Sequence, residues 1–267
     1  MSGKRASAGD SIVKPAEISP DLLAKLDQLQ TEQDRMVLKD EFDSTYRMEA
    51  YYEKRRSKLR EIPNFWFTVL QNDTMLVAAC GNHSEDHEAL KYVEDIWVTR
   101  HRPDPRAFTI ELHFKENPFF SDKVLKKEYK LAKEPSGEVI DGIYDSMLNF
   151  NPDKDLVPST HNINWKSDKV NLCKRYPKPV RPEDEDAMDE VTDLGSFFNF
   201  FQTKEDELDL GPHLAGEVYT SPITFYKGEF DDDDEDFEDE DISSSEDDDS
   251  DAEEIDLERP KKRVKRA

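Results

Sequence analysis

The chain has 267 residues and a formal charge of −25, with 35% hydrophobic and 10% aromatic residues. The last 39 residues hold 20 acids against six bases, a balance of −14, which leaves −11 on residues 1–228. Net negative charge on both parts excludes a general nucleic-acid binder, which would present a basic face, and points to a basic partner.

Residues 1–17, rich in Ser, Ala, Gly and Lys, are expected to be a disordered arm. They contain no apolar core of signal-peptide length, and no apolar run in the chain approaches the ~20 residues a membrane span needs. Cys80 and Cys173 lie far apart with no CxxC pairing, so neither a zinc framework nor a disulfide scaffold is expected. A soluble chain in a reducing, intracellular compartment, without a membrane partner, is the expectation.

At "ISPDLLAKL" the pattern becomes helical, with Ser19 as N-cap and Pro20 in the first turn. No Gly or further Pro interrupts the run to Arg60, and "IPNFW" stops it at Pro63. Residues 18–61 are therefore read as one long helix. Its stripe comprises Leu22, Leu26, Leu29, Met36, Val37, Leu38, Phe42, Tyr46, Tyr52 and Leu59, with a heptad slip around Gln33–Leu38. Such a helix runs ~60 Å and overhangs a globule of the remaining residues, about 40 Å across. The overhanging apolar stripe predicts a homodimer through Leu22, Leu26, Leu29, Met36, Leu38 and Phe42. A helix bent back on its own domain is the alternative.

Residues 62–228 read as α+β. "NFWFTVLQNDTMLVAAC" and "SEDHEALKYV" are helical, the second capped by Ser84. "YVEDIWVT", "FTIELHF" and "KVLKKEYKL" form a three-stranded antiparallel meander with one polar side. Residues 133–161 are an irregular insertion, "INWK" one more short strand, and "YPKPVRPEDEDAMDE" a mobile loop. "DLGSFFNFFQ" supplies a Phe-rich helix covering the sheet on one face.

The order of "EKRRSKLREIPNFWFTVLQN", "IELHFKENPFFSDKVLKKEYKL", "INWK", "SFFNFFQ" and an acidic tail resembles the nucleosome assembly protein family, in its SET branch, which is unrelated to the methyltransferase domain of that name. The resemblance covers about residues 18–228. It implies a dimerisation helix followed by an earmuff-type domain, an antiparallel sheet with helices on one face, and histone chaperone activity that promotes nucleosome assembly or disassembly. It also implies histone contacts on the concave underside of the domain, for which Glu205, Asp206, Glu207 and Asp209 are the candidates; a solvated loop is the plain alternative. SET-like proteins imply a second reading: a regulator that inhibits a protein phosphatase or modulates a histone acetyltransferase. The insertion at 133–161 and the basic end depart from the SET pattern.

Residues 229–258 lack the apolar content to order and are read as a disordered polyanion. Asp231, Asp232, Asp233, Asp234, Glu235, Asp236, Glu238, Asp239, Glu240 and Asp241 would hold core histones by counterion release, as DNA does. Solubility alone, or a cation buffer, are the competing readings. Ser243, Ser244, Ser245 and Ser250 each precede an acid by three residues, a pattern suited to acid-directed kinases. Residues 259–267 carry a basic cluster, Lys261, Lys262, Arg263, Lys265 and Arg266, that fits a nuclear import receptor and hence a nuclear location with possible return to the cytoplasm; folding back onto Asp231–Asp241 is the other reading. His83 and His87 have metal spacing without a third ligand nearby in sequence. No phosphate-cradling Gly loop or nucleophile elbow occurs, so no catalytic site, cofactor or sequence-specific nucleic-acid contact is read.

Overall fold

A computed structural model describes residues 18–80, 83–179, 195–206 and 208–228. The arm at 1–17, Glu207, the loop at 180–194 and the acidic and basic segments from Glu229 onward lie outside the described residues. Helix α1 spans Pro20–Leu59 without a break. Ser19 accepts a hydrogen bond from the Leu22 N–H at 3.3 Å, and Pro20 supplies a φ suited to the first turn. Every residue from Ile18 to Asp34 is exposed, and the first buried side chain is Arg35. Fifteen helical residues, ~22 Å of helix, thus precede the first buried side chain.

The C-terminal end of α1 is tied to the domain by buried charge. Asp95, 1% exposed, accepts from Arg56 Nε at 2.5 Å, Arg60 Nη2 at 2.8 Å and Trp66 Nε1 at 3.3 Å. Arg55 donates to the carbonyls of Tyr219 and Thr220 while stacking against Tyr52. The contacts from Arg56 and Arg60 orient the end of the helix against the segment that carries Asp95.

Beyond Pro63 the helical run expected as one piece divides into α2, Phe65–Asn72, and α3, Thr74–Cys80. Asp73 breaks it because its carboxylate is used twice: it caps α3 through the Leu76 N–H at 2.7 Å and meets His213 Nε2 at 2.6 Å. α4 spans Ser84–Leu90, with His83 rather than Ser84 at the cap position.

The meander forms as its alternation predicts. β1 (Val93–Arg100), β2 (Phe108–Phe114) and β3 (Val124–Leu131) pair antiparallel, with Val98 opposite Ile110 and Leu112 opposite Leu125. Ile96, Val98, Ile110, Leu112, Leu125 and Tyr129 face the helices, and Thr109, Glu111, His113 and Lys126 form the polar side. A fourth strand comes from inside the insertion. After hairpin β4 (Val139–Ile140) and β5 (Ile143–Tyr144), and short helix α5 (Pro152–Asp155), β6 (Leu156–Pro158) pairs with Tyr129–Leu131. "INWK" is not a strand of this sheet: it forms an isolated bridge, Trp165 to Phe120 in the β2–β3 connection, while β6 takes the edge of β3.

Lys127 sits on the buried face, fully enclosed, with Nζ bonded to the carbonyls of Phe200 at 2.7 Å and Thr203 at 2.5 Å. It thereby caps the C-terminus of α7 (Asn199–Gln202), where α6 is the preceding turn Leu172–Arg175. Burial pulls this ammonium down to about 8. The Phe-rich stretch is shorter as a helix than expected but all four rings are buried. Phe198 lies 5.4–5.6 Å from the rings of Phe197, Phe120 and Trp165. Gly195 has φ +74°, and a Cβ there would meet the Pro177 carbonyl at 2.6 Å, so only glycine admits the turn into these rings. α8 (Leu210–His213), a π-turn (Leu214–Val218) and α9 (Pro222–Lys227) complete the layer, with Tyr226 stacked on Phe65 at 4.8 Å. The architecture is α+β, a long N-terminal helix followed by an antiparallel sheet covered by helices on one face.

The insertion builds a second small core on α1. Phe42, Ile143 and Met147 are buried together, with Leu38, Tyr46, Tyr144 and Leu148 against them. Arg35 donates to the Ile143 carbonyl at 3.0 Å and pairs with Asp145. Arg106 joins this core to the β1–β2 connection, bonding both oxygens of Asp104 and the Met147 carbonyl at 2.9 Å.

Candidate functional site

The apolar stripe of α1 divides by neighbourhood. Leu22, Leu26, Leu29 and Met36 are 44–63% exposed. Phe42 is 4% exposed and Leu38 half-buried, both covered by Ile143 and Met147 of the same chain. The insertion therefore already occupies the surface of two of the six residues expected at a helix–helix contact.

The acidic candidates of the domain also separate. Asp206 is engaged within the fold: its carboxylate accepts from the N–H groups of Leu210 and Gly211, each at 2.8 Å, and from the Tyr129 hydroxyl. That hydroxyl is pushed strongly upward by burial and by the Asp206 charge. Gly211 is required here, since a Cβ would fall 2.0 Å from the Tyr129 oxygen. Tyr129 belongs to the helix-covered face of the sheet, so Asp206 lies on that side and away from the polar face. Glu205 is exposed and bonded to Lys178 at 2.9 Å, which holds its carboxyl below the usual range. Asp209 is exposed, at φ +50°. The structure brings these three together at one corner, with a single free carboxylate among them.

The polar face is balanced in charge. Burial would raise the Glu111 carboxyl, yet bonds from Lys126 at 2.5 Å and His113 at 3.1 Å leave it lowered. Elsewhere, His83 stacks on Tyr176 with ring centroids 3.9 Å apart, and no group of three or more metal-capable side chains occurs among the described residues. No helix among them is long and apolar enough to cross a membrane.

The concavity with the most suitable chemistry lies elsewhere, between α1 and the domain, with a volume of about 690 Å³. Asp40, Glu41, Met48 and Glu49 form the helical wall, and Tyr52, Trp97 and Tyr219 the floor. Asp40 and Glu41 are exposed, and among the described residues neither pairs with a basic side chain; Glu49 has only a 3.5 Å contact with Arg102. Arg100, which also lines the cavity, is engaged by the Ala215 carbonyl at 2.7 Å and stacks over Phe108. The result is a groove with free carboxylates above aromatic rings. Carboxylates bind guanidinium and ammonium groups by charge-assisted hydrogen bonds, and ring faces attract the same cations. The groove was not legible in the sequence because its walls come from positions 40–52, 97–100 and 215–220. The only local signal is the spacing of four between Asp40, Ser44 and Met48, which puts them on one side of the helix.

A family model described as Nucleosome assembly protein matches residues 13–258. Nucleosome assembly protein 1-like 1 of Xenopus tropicalis is 29% identical over 194 residues, covering 65% of this chain and 47% of its own length. Protein SETSIP of Homo sapiens is 27% identical over 219 residues, covering 79% of this chain and 67% of its own. The chain thus spans about half to two thirds of the curated relatives it matches. Among solved structures, the Vps75 histone chaperone superposes with a TM-score of 0.55 at 17% identity, over 79% of this chain and 97% of that one. A Ccp1 mutant superposes with a TM-score of 0.52 at 22% identity, over 78% and 93%. These structural likenesses establish the shared fold, and the family match, which runs from before α1 to the end of the acidic segment, establishes membership: the chain belongs to the nucleosome assembly protein family.

Proposed function

We propose that this chain is a histone chaperone that works as a homodimer, holding core histones through acidic surfaces and releasing them to DNA during nucleosome assembly or disassembly. The observation that carries the reading is the groove of carboxylates, Asp40 and Glu41 unpaired with a basic side chain among the described residues and Glu49 with only a 3.5 Å contact to Arg102, beside Tyr52, Trp97 and Tyr219, in a chain of net charge −25. Lys- and Arg-rich histones match it in sign and in hydrogen-bond geometry. The acids from Asp231 to Asp241 would raise the local histone concentration, and the exposed Glu205 and Asp209 would add weaker contacts. DNA, with denser and regularly spaced charge, would then take the cargo. Phosphate on Ser243, Ser244, Ser245 or Ser250 would add charge to the same segment, and Lys261–Arg266 would carry the protein into the nucleus through an import receptor.

The test measures affinity for purified core histones at several salt concentrations. Asp40→Asn, Glu41→Gln and Glu49→Gln together are expected to weaken binding about tenfold, as loss of charge-assisted contacts requires. Deleting residues 229–258 is expected to weaken it further and to flatten its salt dependence. Unchanged affinity in both variants overturns the assignment.

A further inference from the structure

The β4–β5 hairpin is bound to α1 on one side only. Its β5 half is seated, with Ile143 1% exposed against Phe42 and Met147, and with Arg35 latching Ile143 and Asp145. Its β4 half is left open: Val139 is 52% and Ile140 44% exposed, Ile140 on the face it shares with Ile143 and Val139 on the other. Between Ile140 and the helix runs a trough of about 420 Å³, bordered by Glu32, Met36 and Asp40 on α1. Two adjacent large aliphatics at the open edge of a two-stranded hairpin are a costly arrangement in water unless something covers them.

The identity of the cover follows from Met36. This side chain, 63% exposed, both borders the trough and ends the row Leu22, Leu26, Leu29, Gln33, Met36, whose spacing of four, three, four and three puts all five on one side of the helix. A helix lying along that row reaches Met36 and must pass the hairpin edge. The trough itself holds Arg35 and Lys39 as well as Glu32, Asp40 and Asp141, and Lys39 is paired with Asp43. Its charge is close to balanced, unlike the groove facing β1, so a basic cargo gains little there. Another copy of α1, apolar on the matching side, fits both features.

We propose that Ile140 of one copy packs on α1 of the second copy beside Met36, with Val139 at the rim of the same contact, so that the insertion extends the dimer contact beyond the helical row. The inference rests on the two-copy reading given above. A stable interface buries about 800 Å² on each partner, and a further large aliphatic per copy contributes to that area where the helix row alone is narrow. It also gives the insertion a purpose: by enclosing Leu38 and Phe42 it fixes which side of α1 remains for the partner.

The experiment uses the full chain with Val139→Asp and Ile140→Asp together, followed by sedimentation equilibrium over a dilution series. Both positions are exposed, so the helical circular dichroism should be retained while the dimer dissociation constant rises at least tenfold. A photo-crosslinking residue at Ile140 is expected to join two chains through the partner's α1. An unchanged dissociation constant, or no inter-chain product, overturns the hairpin contact while leaving the dimer. A wild-type chain that stays single at every concentration sinks the two-copy reading itself, and the hairpin contact with it.

Discussion

Asp at both Leu26 and Leu29 is expected to leave the chain single in solution, with light scattering returning the mass of one copy where the wild type returns two. Both side chains lie in the stretch from Ile18 to Asp34, where every residue is exposed. An isolated helix of about 15 residues is marginal in water, since nucleation is unfavourable and only packing of an apolar side makes up the difference. Two carboxylates in that row remove the apolar cover and would have to be desolvated against a second copy. The same substitutions should therefore also lower helical ellipticity, because the first four turns of α1 lose what orders them. The domain should be unaffected, as its nearest tie to the helix begins at Arg35. Phe42→Asp would behave differently. It would break the Ile143–Met147 core within one chain and reduce folding stability rather than assembly alone. A double Leu26/Leu29 variant that keeps the mass of two copies would mean that the row is not what joins them.

Phe198→Ala is expected to lower unfolding free energy by about 3–5 kcal/mol, read as a shift of the denaturant midpoint at constant slope. Phe198 is 0% exposed and packs edge-on against Phe120, Trp165 and Phe197, with Phe114 at 6.4 Å. These rings come from β2, the β2–β3 connection, the "INWK" segment and the Phe-rich turn, so the cluster is where those segments meet. Neighbours fixed by a sheet and by Gly195 cannot collapse into the space left by a ring, so the cavity cost adds to the lost transfer energy. A change under 1 kcal/mol would show that the ring cluster relaxes and that the helical layer is held by other contacts.

The start of α1 and the meander were readable because each rests on a local rule. Ser19-Pro20 marks a helix start by its own geometry, and Phe108, Ile110, Leu112 and Phe114 alternate because the strand does. Two kinds of feature were hidden. Lys127 carries a charge that composition alone would place in water, yet register sets it between Leu125 and Tyr129 on the buried face, where two carbonyls at the end of α7 accept hydrogen bonds from its ammonium. The acids at 205–209 look interchangeable in sequence, while the fold uses Asp206 as a cap and leaves Asp209 exposed. The insertion is a third case. Its turn signals were visible, but hairpin β4–β5 finds its partner 108 residues away at Arg35, and no local pattern encodes such a contact. The groove fails to show for the same reason, since its acids and its aromatic rings meet only in the folded chain.

The most direct measurement mixes the purified wild-type chain with core histones at ~0.15 M salt, where exposed charges are screened beyond about 8 Å, and determines the mass of what elutes together. Two copies of the chain carrying histone, with the histone passing to DNA when DNA is added, is the result expected. Histones that elute alone, beside a chain that ignores them, would contradict the account.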